Sequence, residues 1–159
     1  MTESTHEPFN TWLRYYTEEF KNAPAKNAFK KFGRYFLCPC CHLPTLKSRQ
    51  DNNICILCDW NDDGQDDHDA DKVLGGANRD YSLTEARQNF KQYLTMYRPA
   101  DAYDFNRTTV KQNPGSKTTY DLTKIKKGII EKYNLLTTIA EPDEKKAILK
   151  EIEMLQKKL

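Results

Sequence analysis

Two cysteine pairs constrain this chain more than any other feature. Cys38-Pro39-Cys40-Cys41 and Cys55-Ile56-Leu57-Cys58 each contain a C-x-x-C step, and thirteen residues separate Cys41 from Cys55. One C-x-x-C turn presents two sulfurs to a single ion. A second turn at this distance completes a tetrahedral thiolate set, Cys38, Cys41, Cys55 and Cys58, of the kind that binds Zn2+. With all four positions filled by protein sulfur, such a site is structural rather than catalytic. Paired cysteines of this kind point to a reducing compartment and to metal rather than disulfides. Cytoplasmic location is the expectation.

The 159 residues fit one domain, or a small domain with a tail. At 38% hydrophobic and 30% charged residues the chain is polar with a modest core, which a structural metal would reinforce. No apolar run reaches the length of a membrane span. The formal net charge is only +2, and it is unevenly spread. Asp59 to Asp71 carries seven aspartates and no lysine or arginine, while most of the remainder is mildly basic. A whole-protein basic patch is lacking.

Hydrophobic spacing supplies the elements. Phe9, Trp12, Leu13, Tyr16 and Phe20 share a helix face. Pro24 suits the start of a second short helix that carries Phe29 and Phe32 and ends at Gly33. Tyr35-Phe36-Leu37 reads as a strand into the first knuckle, and Thr45–Lys47 with Asn53–Ile54 as a hairpin around a polar turn. Ser82-Leu83-Thr84-Glu85 fits a capping box, followed by Leu83, Ala86, Phe90, Tyr93, Leu94 and Tyr97 at helical spacing up to Pro99. Residues 100–120 show no period and read as a linker. Leu122, Ile125, Ile129, Tyr133, Leu136 and Ile139 form one helical stripe. Ile148, Ile152, Leu155 and Leu159 form another beyond Glu141-Pro142-Asp143, so the two predict a helical hairpin. The expected fold is α+β: N-terminal helices over 1–34, a small zinc ribbon over 35–99, a linker over 100–120 and the C-terminal helical hairpin over 121–159.

Residues 35–99 resemble the cysteine-rich CPCC domain family. The resemblance rests on Cys38-Pro39-Cys40-Cys41, Cys55-Ile56-Leu57-Cys58-Asp59-Trp60, Asp62-Asp63-Gly64, Gly75-Gly76-Ala77-Asn78 and Ser82-Leu83-Thr84-Glu85-Ala86-Arg87-Gln88-Asn89-Phe90. His42 departs from it, standing where the family usually has glycine after the motif. The resemblance implies a zinc-ribbon-like domain in a small bacterial protein, with an association to immunity proteins, and implies no particular activity.

Among the remaining constellations, Cys40 reads as a small buried hydrophobe or as a reactive thiol beside the metal. Asp59-Trp60-Asn61-Asp62-Asp63-Gly64 matches the first half of a calcium-binding EF-hand loop, but Ala70 stands where the closing glutamate belongs. Calcium binding by another arrangement of Asp66, Asp67, Asp69 and Asp71 stays open. The acidic segment also suits an interaction surface for a basic protein, with Asp62, Asp63, Asp66, Asp67 and Asp69 as the partner-binding residues. No catalytic constellation is evident. The expected role is non-enzymatic protein binding, in its sharper form an immunity protein that neutralises a basic toxin. The alternative is a nucleic-acid-binding zinc ribbon using Lys30, Lys31, Arg34, Lys47 and Arg49. A redox role for Cys40 ranks last, and the oligomeric state is open.

Overall fold

The computed structural model describes residues 11, 12, 14, 15 and 18 and residues 29–159 apart from 113, 114 and 118. Within these, three short strands, β1 (Lys31–Phe32), β2 (Tyr35–Leu37) and β3 (Pro44–Leu46), form an antiparallel sheet in that order. Two single turns of 3-10 helix follow, at Asp67–Asp69 and Gly76–Asn78. Then come α1 (Leu83–Tyr93), α2 (Ala102–Thr109), the hairpin of β4 (Val110–Gln112) with β5 (Thr119–Asp121), α3 (Leu122–Leu136) and α4 (Pro142–Gln156). The architecture is α+β, with a cysteine cluster and a C-terminal helical hairpin.

The chain divides into two compact units, one of residues Asn22–Thr109 and one of Met1–Lys21 with Val110–Leu159. In the first, β1 and β2 are joined by Gly33 and Arg34, with Phe32 opposite Tyr35. Gly33 has φ +61°, as the first central residue of a II′ hairpin turn requires. This corrects the expected helix ending at Gly33. Phe29 and Phe32 have helical spacing, yet Phe32 lies on a strand and the Phe29 ring stands edge-on to Phe36, their centroids 6.5 Å apart. Leu37, Leu43, Leu46, Leu57, Trp60, Tyr81, Leu83, Ala86, Phe90 and Met96 are buried.

The expected hairpin between Thr45–Lys47 and Asn53–Ile54 is also corrected. β3 pairs with β2, and Ile54 bridges Asn61 instead. Each pairing closes around its own C-x-x-C turn. α1 begins as expected, the Ser82 hydroxyl accepting from the Glu85 amide at 3.0 Å. The Glu85 carboxylate does not return to the cap but takes Arg98 Nε at 2.8 Å and Nη2 at 3.1 Å. The helix stops at Tyr93 rather than Pro99, because Leu94 turns left-handed (φ +61°). The segment expected to be a linker instead holds α2, β4 and β5. α2 escapes a hydrophobic reading because what it buries is polar. Asp104 pairs with Arg79 and Arg107, and Thr108 bonds Thr95 at 2.7 Å.

In the second unit, α3 buries Leu122, Ile129, Ile130, Tyr133 and Leu136, and α4 buries Ile148 and Ile152. Gly128 on α3 faces α4: a Cβ there would meet Leu155 Cδ1 at 3.7 Å, an ordinary packing distance. Trp12, helical and fully buried, sets its ring 5.4 Å from that of Tyr133. Phe9, Leu13, Tyr16, Phe20 and Pro24 lie outside the described residues. Among the described residues, no helix is long and apolar enough to cross a membrane.

Candidate metal centre

The two C-x-x-C segments fold into matching turns. The Cys38 amide donates to the Leu43 carbonyl at 2.9 Å, and the His42 amide to the Cys38 carbonyl at 2.8 Å. Seventeen residues on, the Cys55 amide donates to Trp60 at 2.9 Å and the Asp59 amide to Cys55 at 2.9 Å. The residue after each second cysteine is left-handed, His42 at φ +61° and Asp59 at φ +71°. Glycine would adopt that conformation without strain, so His42 occupies the turn at a cost.

These turns bring Cys38, Cys41, Cys55 and Cys58 together, all fully buried, with their sulfurs within 4.8 Å of one another. Cys38 Sγ lies 3.6 Å from Cys58 Sγ, and Cys41 Sγ lies 3.7 Å from Cys55 Sγ. A tetrahedral zinc with bonds of about 2.3 Å sets its sulfurs about 3.8 Å apart, so the donors fit zinc in number, type and spacing. None of the five cysteines is in a disulfide. Burial pushes the Cys38, Cys41 and Cys58 thiols well up. Burial also raises Cys55, but hydrogen bonds from Cys38, Cys41 and Cys58 outweigh it and hold that thiol low. Buried sulfurs carrying negative charge need a cation beside them, which is the chemistry a metal ion supplies.

The surrounding groups fix both turns. Arg87, on α1, donates from Nε to the Pro39 carbonyl at 2.8 Å and from Nη2 to Asp67 at 2.7 Å, clamping the first turn to the helix. The Met96 amide donates to the Cys58 carbonyl at 2.8 Å. Asp59 accepts from the Tyr97 hydroxyl at 2.9 Å and from Arg107 at 2.8 Å. Burial, then the charge of Asp59, raises the Tyr97 phenol, which stays protonated and remains a donor. The buried Asn78 amide serves Asn61 from both sides, accepting its N–H at 3.0 Å and donating to its carbonyl at 2.7 Å. Arg87 and Asn78 fall within the motifs that carry the family resemblance, but sequence reasoning gave them no role. Their spacing from the cysteines, unlike that of a C-x-x-C pair, carries no ligand signature.

His42 and Cys40 belong to the wall of the site. Burial, and next the Arg87 charge, lowers the His42 imidazole to about 4, so it is neutral at pH 7. Cys40 is buried outside the four-sulfur cluster, and burial raises its thiol, which disfavours the reactive thiolate.

The five aspartates expected to face a partner are largely spent inside the chain. Asp62 is fully buried and accepts from Arg49 Nε at 2.8 Å and the Gln50 amide at 2.7 Å. Asp63 accepts from the Gln65 amide at 3.0 Å and from Asn78 at 3.3 Å. Asp66 pairs with Arg49 at 3.2 Å and caps the Asp67 amide, while Asp69 accepts from the Asp66 amide at 2.8 Å. Asp67 leaves 70% of its side chain exposed while paired with Arg87. Among the described residues, the four cysteines are the only cluster of metal-ligating side chains, and the aspartates do not assemble a calcium site.

The family described as cysteine-rich CPCC matches residues 36–112. Neither a curated protein nor a solved structure shows significant similarity to the chain.

Proposed function

We propose, on the premise that residues 36–112 belong to the cysteine-rich CPCC family, that this is a non-enzymatic binding protein whose domain is held together by structural zinc. The observation that carries the reading is the convergence of Cys38, Cys41, Cys55 and Cys58 at tetrahedral sulfur spacing in a fully buried pocket. A closed four-thiolate site leaves no coordination position for a substrate, which favours a structural metal over a catalytic one.

Protein binding is the role we attach to this domain, and neutralisation of a basic toxin, as by an immunity protein, is its sharper form. The buried Asp62 and the internally bonded Asp63, Asp66 and Asp69 serve as scaffold in this reading. A basic partner would meet the outer edge of the loop at Asp67. The nucleic-acid alternative draws less support. Arg49 is committed to Asp62 and Asp66, and Lys31 and Arg34 lie over the rings of Phe36 and Tyr35.

Metal analysis of protein purified without chelator tests the zinc reading. One zinc per chain is expected, lost in Cys38→Ser or Cys58→Ser and retained in Cys40→Ser. Metal-free wild-type protein that is nonetheless folded would sink it.

A further inference from the structure

Thr45 is the central residue of β3, and its neighbours Pro44 and Leu46 are buried. The strand alternates, so Thr45 faces away from them, and its hydroxyl lies 3.0 Å from Cys55 Sγ, ten residues along the chain. The same hydroxyl is 3.4 Å from the Leu43 carbonyl, the longer of its two contacts. A hydroxyl has one proton to give. A zinc-bound thiolate has none, so in a loaded site the proton between Thr45 and Cys55 belongs to the hydroxyl, and the sulfur accepts. Hydrogen bonds to charged acceptors are roughly twice as strong as neutral ones, which draws the proton to sulfur rather than to the carbonyl.

We infer that Thr45 is a positioning residue of the metal centre: its hydroxyl donates to Cys55 Sγ and holds that sulfur on the zinc. The inference rests on the zinc reading above. It ties the strand leaving the first turn to the leading sulfur of the second, so the two halves of the site are joined by more than the ion. Cys58 has a weaker counterpart in the Trp60 amide, at 3.5 Å. The hydroxyl also spreads the negative charge of a buried four-thiolate site. Without it Cys55 loses a donor to its sulfur and is displaced from the metal more easily than in the wild-type protein.

The test compares the zinc-loaded full chain with Thr45→Val, which keeps the shape and removes the hydroxyl, and Thr45→Ser, which keeps the hydroxyl. Zinc affinity is read by competition with a chromogenic chelator. Modification of Cys55 by iodoacetamide is read by peptide mass spectrometry. Thr45→Val should bind zinc about ten- to a hundredfold more weakly, the usual range for a lost outer partner of a ligand, and Cys55 should be alkylated faster than in the wild-type protein. Thr45→Ser should restore both values. Equal affinity in wild type and Thr45→Val would overturn the inference. Equal loss in the valine and serine variants would also overturn it, since the methyl group would then be the operative part. Wild-type protein that takes up no zinc in the same titration would overturn the zinc reading itself, a result distinct from either.

Discussion

At the scale of single residues, Asp62 shows how a charge pattern misleads. Seven aspartates in thirteen residues read as an exposed field, yet Asp62 is fully buried and faces Arg49, whose side chain is 5% exposed. Breaking a buried pair from one side leaves an uncompensated charge, a loss on the order of 3–5 kcal/mol. Asp66 still reaches Arg49, so Asp62→Ala should cost about 3 kcal/mol, at the lower end. Denaturant unfolding of the zinc-loaded protein measures it. A cost below about 1 kcal/mol, as an exposed pair would give, would show that Arg49 and Asp62 are not a buried unit. The aspartate pattern could not reveal this, because the partner that withdraws Asp62 from solvent lies thirteen positions earlier and no local spacing links them. The cysteines were legible for the opposite reason: ligand spacing within a C-x-x-C turn is local, and only one further turn had to be found.

Among the elements, the knuckles explain both the successes and the failures of the sequence reading. β2 was legible from Tyr35-Phe36-Leu37. The pairing of the strands was not, because a C-x-x-C turn returns the chain upon itself. The bonds from Cys38 to Leu43 and from Cys55 to Trp60 oblige the segments flanking each turn to meet each other rather than those of the other turn. α1 was legible at its start, where Ser82 satisfies a helix amide, and illegible at its end. Leu94 adopts a conformation that an apolar residue seldom takes, and its place is fixed by neighbours. The Leu94 amide bonds Phe90 at 2.9 Å, Asn89 bonds the Met96 carbonyl at 2.8 Å and Met96 bonds Cys58. Ser82→Ala should therefore lower stability by about 1 kcal/mol, the usual worth of an N-cap hydroxyl. Ser82→Asp should recover it, since aspartate caps as well as serine. Thermal unfolding of the two variants side by side decides this. Equal melting of the serine and alanine proteins would mean that the cap bond contributes nothing.

For the whole molecule, the two units differ in what holds them. Residues Asn22–Thr109 bury their cysteines, most of their leucines and Trp60 with short strands and two helices, α1 and α2. The unit formed by Met1–Lys21 with Val110–Leu159 has two fifteen-residue helices that bury apolar side chains, and among the described residues it holds no cluster of metal-ligating side chains. Folding free energy that comes from metal binding disappears when the metal does. Chelation should thus abolish protection in α1 and at Cys38–Trp60 while α3 and α4 keep theirs. Hydrogen exchange read by mass spectrometry, with and without a zinc chelator, resolves the two regions. Loss of protection at Ile129 and Ile152 in step with Cys58 would mean that the helical hairpin also depends on the metal-held unit for its fold. Retention throughout would mean that the sulfurs are packed apolar groups and that the domain stands without zinc.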